Sequence, residues 1–145
     1  MAEGTCVFCR IGRRELPASV VHEDPLTVAF LDIRPINEGH SLVIPRAHAA
    51  GLADLDPATG GRLFETAMRV AAALRGSGVR CEGVNIHLAD GEAAGQEVFH
   101  VHLHVFPRYE GDGFHLRFPP RYADPPDRST LEATAARLRE AIGRA

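Results

Sequence analysis

Apolar and polar positions along the 145-residue chain follow two periods, and the switches between them mark the elements. Leu26, Val28 and Phe30 alternate with Thr27, Ala29 and Leu31, so residues 26–31 read as a mostly buried strand. A short strand at 20–22 precedes it across the turn-like Glu23-Asp24-Pro25, and residues 40–45 form another around Leu42, Val43 and Ile44. Leu63, Ala67, Val70 and Leu74 recur at helical spacing, with Phe64, Met68 and Ala71 beside them. Asp56 as N-cap and Pro57 at the first helical position start that helix, and Gly76-Ser77-Gly78 ends it. Residues 5–15 predict a short helix ended by Pro17, and 84–88 a strand. Residues 96–106 give the strongest β signal. Five prolines make 107–128 irregular. A last helix over 129–142 starts on a Ser129/Glu132 capping box and carries the stripe Leu131, Ala135, Leu138, Ile142. The order α-β-β-β-α-β-β-loop-α, with hairpin-length connections, predicts an α+β domain around a mainly antiparallel sheet. The length fits a single domain over 1–145.

Composition narrows the function classes. A net charge of −3 argues against a nucleic-acid partner. No apolar run approaches the roughly 18 residues of a membrane span, and the N-terminus shows no signal-peptide stretch, so the expected location is the cytoplasm and no membrane partner is expected. Three cysteines do not make a secreted disulfide framework. Cys6 and Cys9, in a C-x-x-C spacing, read as metal ligands, a redox pair or two packed thiols; Cys81 reads as a small buried residue. Histidine is in excess: its 8 copies outnumber the 2 Tyr, 2 Met and 3 Cys together.

The excess is concentrated in His100-Val101-His102-Leu103-His104-Val105. On a strand the three imidazoles share one face, about 7 Å apart along the chain, while the apolar residues face a core. Two chemistries fit. The row can coordinate a catalytic metal, or one neutral imidazole can act as nucleophile while its neighbours bind an anionic substrate. Upstream, the small-residue loop from Gly91 to Gly95 and Gln96 offers backbone N–H groups to phosphate oxygens. His22, His87 and His115 lie outside the motif; solvent or a backbone partner accounts for each, and His87, on the 84–88 strand, can equally lie near the row. Arg108 either meets a distal phosphate or sits solvated on the surface.

HVHLHVF preceded by GEAAGQEVF, together with the segments TCVFCRIGRRELPASVVHED, VAFLDIRP and GHSLVIPRAH, resembles the histidine triad family of nucleotide hydrolases and transferases. The resemblance covers about residues 5–115. It is closest to bacterial members related to histidine triad nucleotide-binding proteins and diadenosine polyphosphate hydrolases. It implies a five-stranded sheet, continued to ten strands in a homodimer with the helix near 57–75 at the interface. It implies hydrolysis or nucleotidyl transfer at the α-phosphate of purine nucleoside phosphoramidates or dinucleoside polyphosphates. His102 would form a covalent nucleotidyl-histidine, from which water releases a nucleoside monophosphate. His104 would contact the phosphoryl oxygens, His40 would hold the histidine network, and Gln96 would bind the phosphate or bridging oxygen. Asp32 would take the ribose hydroxyls, and Phe8, Ile11 and Ile33 would form the base pocket; as residues they read equally as core. The chemistry would need no metal. A structural zinc would sit on Cys6, Cys9, His48 and His100. Glu97 stands where relatives usually carry Ser or Thr. Two other functions fit the row: a metal-dependent hydrolase with the triad as zinc ligands, and a nucleotide-binding interaction protein with vestigial catalysis.

Overall fold

The computed structural model describes residues 4–144; residues 1–3 and 145, the ends of the single domain expected over 1–145, lie outside the described residues. The elements are α1 (Val7–Gly12), β1 (Val20–Glu23), β2 (Thr27–Leu31), β3 (Ser41–Pro45), α2 (Pro57–Gly76), β4 (Gly83–His87), β5 (Leu103–Arg108) and α3 (Arg128–Ile142). Their order is the one the hydrophobic pattern predicts. The five strands form one sheet in the order β1-β2-β3-β5-β4, every pair antiparallel. The sheet, α1 and α2 belong to one compact unit, Met1–Gly113, and α3 to a second, Phe114–Ala145. Among the described residues no helix is long and apolar enough to cross a membrane.

Strand alternation sorts the first unit into two cores. Ala29, Val43, Val101, Leu103 and Val105 pack with Leu63, Ala67, Val70, Ala71 and Leu74 of α2. Val28, Phe30, Leu42 and Ile44 point the other way and pack with Cys6, Phe8 and Cys9 of the α1 segment. α2 starts where expected, with Asp56 accepting the Thr59 N–H at 2.9 Å and Pro57 at the first helical position. Phe64 and Met68, beside its buried stripe, are 53% and 58% exposed.

Several boundaries differ from the pattern. The expected 96–106 strand is hydrogen-bonded as a strand only from Leu103, because β3 pairs with β5 only from Ser41↔Val105 to Val43↔Leu103. Upstream of it, the Val101 N–H donates to the Ala49 carbonyl (2.8 Å) and the His100 N–H to Val98 (2.9 Å). The strand instead runs on through Pro107 to Arg108, two residues into the segment expected to be irregular. α1 is shorter than 5–15. In the second unit, Asp127 and not Ser129 caps α3: its carboxylate accepts the Thr130 N–H (2.8 Å) and the Ser129 hydroxyl (3.0 Å). An ionised carboxylate in the N-cap position outcompetes the hydroxyl beside it.

Candidate active site and metal centre

Although the ladder begins only at Leu103, the alternation holds across the histidine run. Val101, Leu103 and Val105 enter the α2 core, and His100, His102 and His104 project from the α1 face. The three rings fall into three different surroundings.

His102 is buried, with its ring edge-on to Phe8 (centroids 5.2 Å apart). Its Nδ1 lies 2.7 Å from the His100 carbonyl oxygen. A carbonyl only accepts, so Nδ1 carries the proton and Nε2 keeps its lone pair. That is the tautomer a nucleophile requires.

His104 belongs to a relay with a defined direction. The Ile36 backbone N–H donates to His40 Nδ1 (3.1 Å), so the His40 proton sits on Nε2 and is donated to His104 Nδ1 (3.0 Å). The remaining His104 proton is then on Nε2, as a donor on the triad face. Burial pushes the His104 pKa down to about 4, with His102 and His40 adding to the effect. Burial also lowers His40, against the pull of Asp32, whose Oδ2 is 3.8 Å from His40 Nε2. Both imidazoles are therefore neutral at pH 7. A consequence is measurable. Unfolded histidines take up protons near pH 6.5, whereas His104 resists until about 4. Between those values the unfolded chain binds more protons, so stability falls as pH is lowered from about 6.5 to 4, by up to about 3 kcal/mol from His104. Asp24, held near 2 by backbone N–H bonds from Leu26 and Thr27 that outweigh its burial, adds its loss below that window. Urea unfolding at pH 7 and pH 4.5 measures the difference; equal stabilities would refute the neutral pair.

His100 is fully buried and faces a third set. Its Nε2–H donates to the Pro45 carbonyl (2.9 Å), which leaves Nδ1 as a lone pair. That atom lies 3.5 Å from Cys6 Sγ, 3.4 Å from Cys9 Sγ and 3.3 Å from His48 Nδ1, and Cys9 Sγ is 3.3 Å from His48 Nδ1. A tetrahedral zinc separates nitrogen from nitrogen by about 3.3 Å and sulfur from nitrogen by about 3.5 Å. The donor set and its spacings fit zinc. Cys6 is the N-cap of α1 and Cys9 lies three residues on, so one short helix turns both sulfurs to the same side.

The other expected residues are placed as follows. Asp32 accepts the Arg34 N–H (2.8 Å) beside His40. Phe8 is buried and Ile11 packs on the same core, whereas Ile33 is 94% exposed. Gln96 has its amide in use: Oε1 accepts from Gly91 N–H (2.8 Å), and Nε2 donates to the Ala50 (2.7 Å) and Val98 (3.1 Å) carbonyls. It ties the 91–96 loop to the segment after β3. Glu97 is exposed and pairs with Arg34 at 3.5 Å. Arg108 fits neither expectation, since Asp112 and Asn85 hold its guanidinium. His87, for which the sequence leaves a place near the row as one alternative, lies opposite His104 in the β4–β5 register. The sequence puts it on a strand, but which strand that strand pairs with is not written in its period.

A family model described as HIT domain matches residues 13–111. An uncharacterized HIT-like protein of Borreliella burgdorferi is 46% identical over 110 residues, 75% of this chain and 79% of that protein. The adenylylsulfatase HINT3 of Arabidopsis thaliana is 34% identical over 111 residues, 76% of this chain and 55% of that protein. Among solved structures, a Zn-bound histidine triad family protein from Mycobacterium smegmatis superposes with a TM-score of 0.75 at 41% identity, covering 97% of this chain and 99% of its own.

Proposed function

This chain belongs to the family defined by the HIT domain, and from that premise we propose that it is a nucleotide hydrolase or nucleotidyl transferase working through a covalent His102 intermediate. The observation that carries this reading is the 2.7 Å bond from His102 Nδ1 to the His100 carbonyl, which leaves Nε2 free to attack. In the first step the Nε2 lone pair forms an N–P bond to the α-phosphorus of a purine nucleoside phosphoramidate or dinucleoside polyphosphate. The bond to the leaving group breaks and its electron pair departs with it. Water then attacks phosphorus, the N–P bond breaks, and a nucleoside monophosphate is released. Two easier displacements replace one hard one. His104 Nε2–H donates to the phosphoryl oxygens, and the His40 relay fixes that proton's position. Asp32 accepts from the ribose hydroxyls, and the α1 residues Phe8 and Ile11 with Ile33 take the base. Gln96 acts on the phosphate through the backbone of the loop it anchors.

The metal belongs to structure in this reading: Cys6, Cys9, His48 and His100 hold a zinc that fastens α1 to the histidine segment, and no cofactor takes part in the chemistry. The three triad rings face three different partner sets, which speaks against their sharing one catalytic ion. Asp32, His40 and His104 also bring donor atoms within 4.8 Å of one another. There, however, the proton between His40 and His104 accounts for the contact. The test is a panel of adenosine phosphoramidate, diadenosine tri- and tetraphosphate and adenylyl sulfate, with and without EDTA. Release of AMP that survives EDTA, with an acid-trapped adenylyl group on His102, is the expected result. Activity that vanishes with EDTA would favour the metal-dependent hydrolase, and AMP binding without turnover the vestigial protein.

The same reading makes the protein a cytoplasmic homodimer, with no nucleic-acid or membrane partner. β4 is an edge strand and Phe64 and Met68 lie exposed on α2, so a second copy has both a ladder edge and an apolar face to meet. Sedimentation at twice the monomer mass is expected; a monomer at micromolar concentration would exclude it.

A further inference from the structure

One more histidine stands on the triad face without a role. β4 pairs antiparallel to β5 with His87 opposite His104, so both side chains leave the sheet on the same side. Their ring centroids are 5.9 Å apart, and the His104 and His102 rings are 5.0 Å apart. His40, His104 and His87 thus form a row across the sheet, from buried His40 just before β3 to the exposed edge strand.

The proposed reaction needs something this row's inner members cannot supply. When the bond from phosphorus to an amine or alkoxide breaks, the departing electron pair needs a proton. His102 spends its lone pair on phosphorus. His40 gives its proton to His104, and the His104 Nε2–H belongs to a neutral imidazole, which donates a hydrogen bond but does not release the proton. His100 is buried, with its proton on the Pro45 carbonyl. His87 is the exposed imidazole of the face, and an imidazole can both give and take a proton. The groups around it are His104 from β5, with His102, His40 and the Asp32 carboxylate behind. The Arg108 guanidinium of β5 is bound to Asn85, two residues before His87 on β4, and neutralised by Asp112.

We propose that His87 is the general acid that protonates the leaving group, and the base that takes the proton of the attacking water. The inference rests on the nucleotidyl-histidine reading. In the first step His87 arrives protonated, and its proton goes to the leaving atom as the P–X bond breaks. In the second step neutral His87 takes the water proton as oxygen bonds to phosphorus and the N–P electrons return to His102 Nε2. Protons and charge then balance over the cycle, with no other reactant.

The test compares two leaving groups. An alkylamine phosphoramidate of adenosine needs the proton; the p-nitrophenyl ester of AMP releases a stable phenolate and does not. His87→Gln and His87→Asn are expected to lower kcat/KM for the phosphoramidate by about 100-fold. For the p-nitrophenyl ester the expected change is about twofold or less, with unchanged melting temperatures. An equal loss on both substrates, or no loss on either, would overturn the assignment. Failure of the parent reading looks different: the wild-type protein turns over neither substrate, or His102→Ala keeps both, and the assignment falls with it.

Discussion

Replacing His102 by alanine is expected to lower the rate of nucleoside monophosphate release by roughly 10⁴-fold or more, the size that follows from removing a covalent nucleophile. That is about 5.5 kcal/mol of lost transition-state stabilisation. The side chain is buried, but its ring rests on Phe8 at one edge and borders His104 at another, so the change empties the site without exposing the α2 core. Binding of AMP should persist, because Phe8, Ile11 and Asp32 are untouched. His104→Ala behaves differently. It removes a donor to the phosphoryl oxygens and leaves the nucleophile, so a loss of about 100-fold is expected. The order of the two losses is the diagnostic result. Acid-quenched mass spectrometry on the wild type should find the nucleotidyl group on His102, and none on the alanine variant. Equal losses at positions 102 and 104, or undiminished turnover by His102→Ala, would sink the mechanism.

Much of this arrangement is legible in the sequence because it depends on local periods. Alternation across 100–105 places three imidazoles opposite a valine–leucine face, and that holds even where the strand ladder does not. Asp56-Pro57 writes the start of α2 for the same reason: capping is decided within four residues. What the sequence hides is pairing between distant segments. The role of Gln96 is an example. Its position suggests a phosphate ligand, yet the structure spends its amide on Gly91, Ala50 and Val98. Arg108 is another, claimed by an aspartate four residues on in a turn that the prolines around it made unreadable. His87 depends on strand register. The direction of the His40–His104 relay depends on one backbone N–H, that of Ile36. The four candidate metal ligands fall between the two cases. C-x-x-C is visible by itself, but its convergence with His48 and His100 follows from β3 and the histidine segment lying side by side.

That convergence carries the second large effect. Cys9→Ser should cut bound zinc from one equivalent per chain to near none, because the remaining three groups no longer close the coordination shell. The sheet and α2 form a core that does not include these ligands, so the chain stays folded. What it loses is the attachment of α1. A six-residue helix does not hold itself together. Without the metal it keeps the packing of Phe8, Cys9 and Ile11 on the second core and the Arg46 hydrogen bond to the Gly12 carbonyl (2.9 Å). A loss of about 3 kcal/mol, or about 10 °C in melting temperature, is the expected scale. It is well below the 10–16 kcal/mol apparent for zinc fingers, whose whole fold rests on the ion. The catalytic consequence follows from what α1 carries. Phe8, placed in the base pocket by the proposed function, borders His102, whereas the His102 tautomer is set by the His100 carbonyl in a segment pinned by the Val101–Ala49 hydrogen bond. Metal loss therefore loosens nucleotide binding more than it disturbs the nucleophile. KM should rise about tenfold while kcat changes by about threefold or less, in Cys9→Ser and equally in chelator-stripped wild type. Elemental analysis, a melting curve and steady-state kinetics on the same preparations decide it. Wild type purified without zinc, or a Cys9→Ser protein with unchanged melting temperature and KM, would show that the four ligands pack as thiols and imidazoles alone.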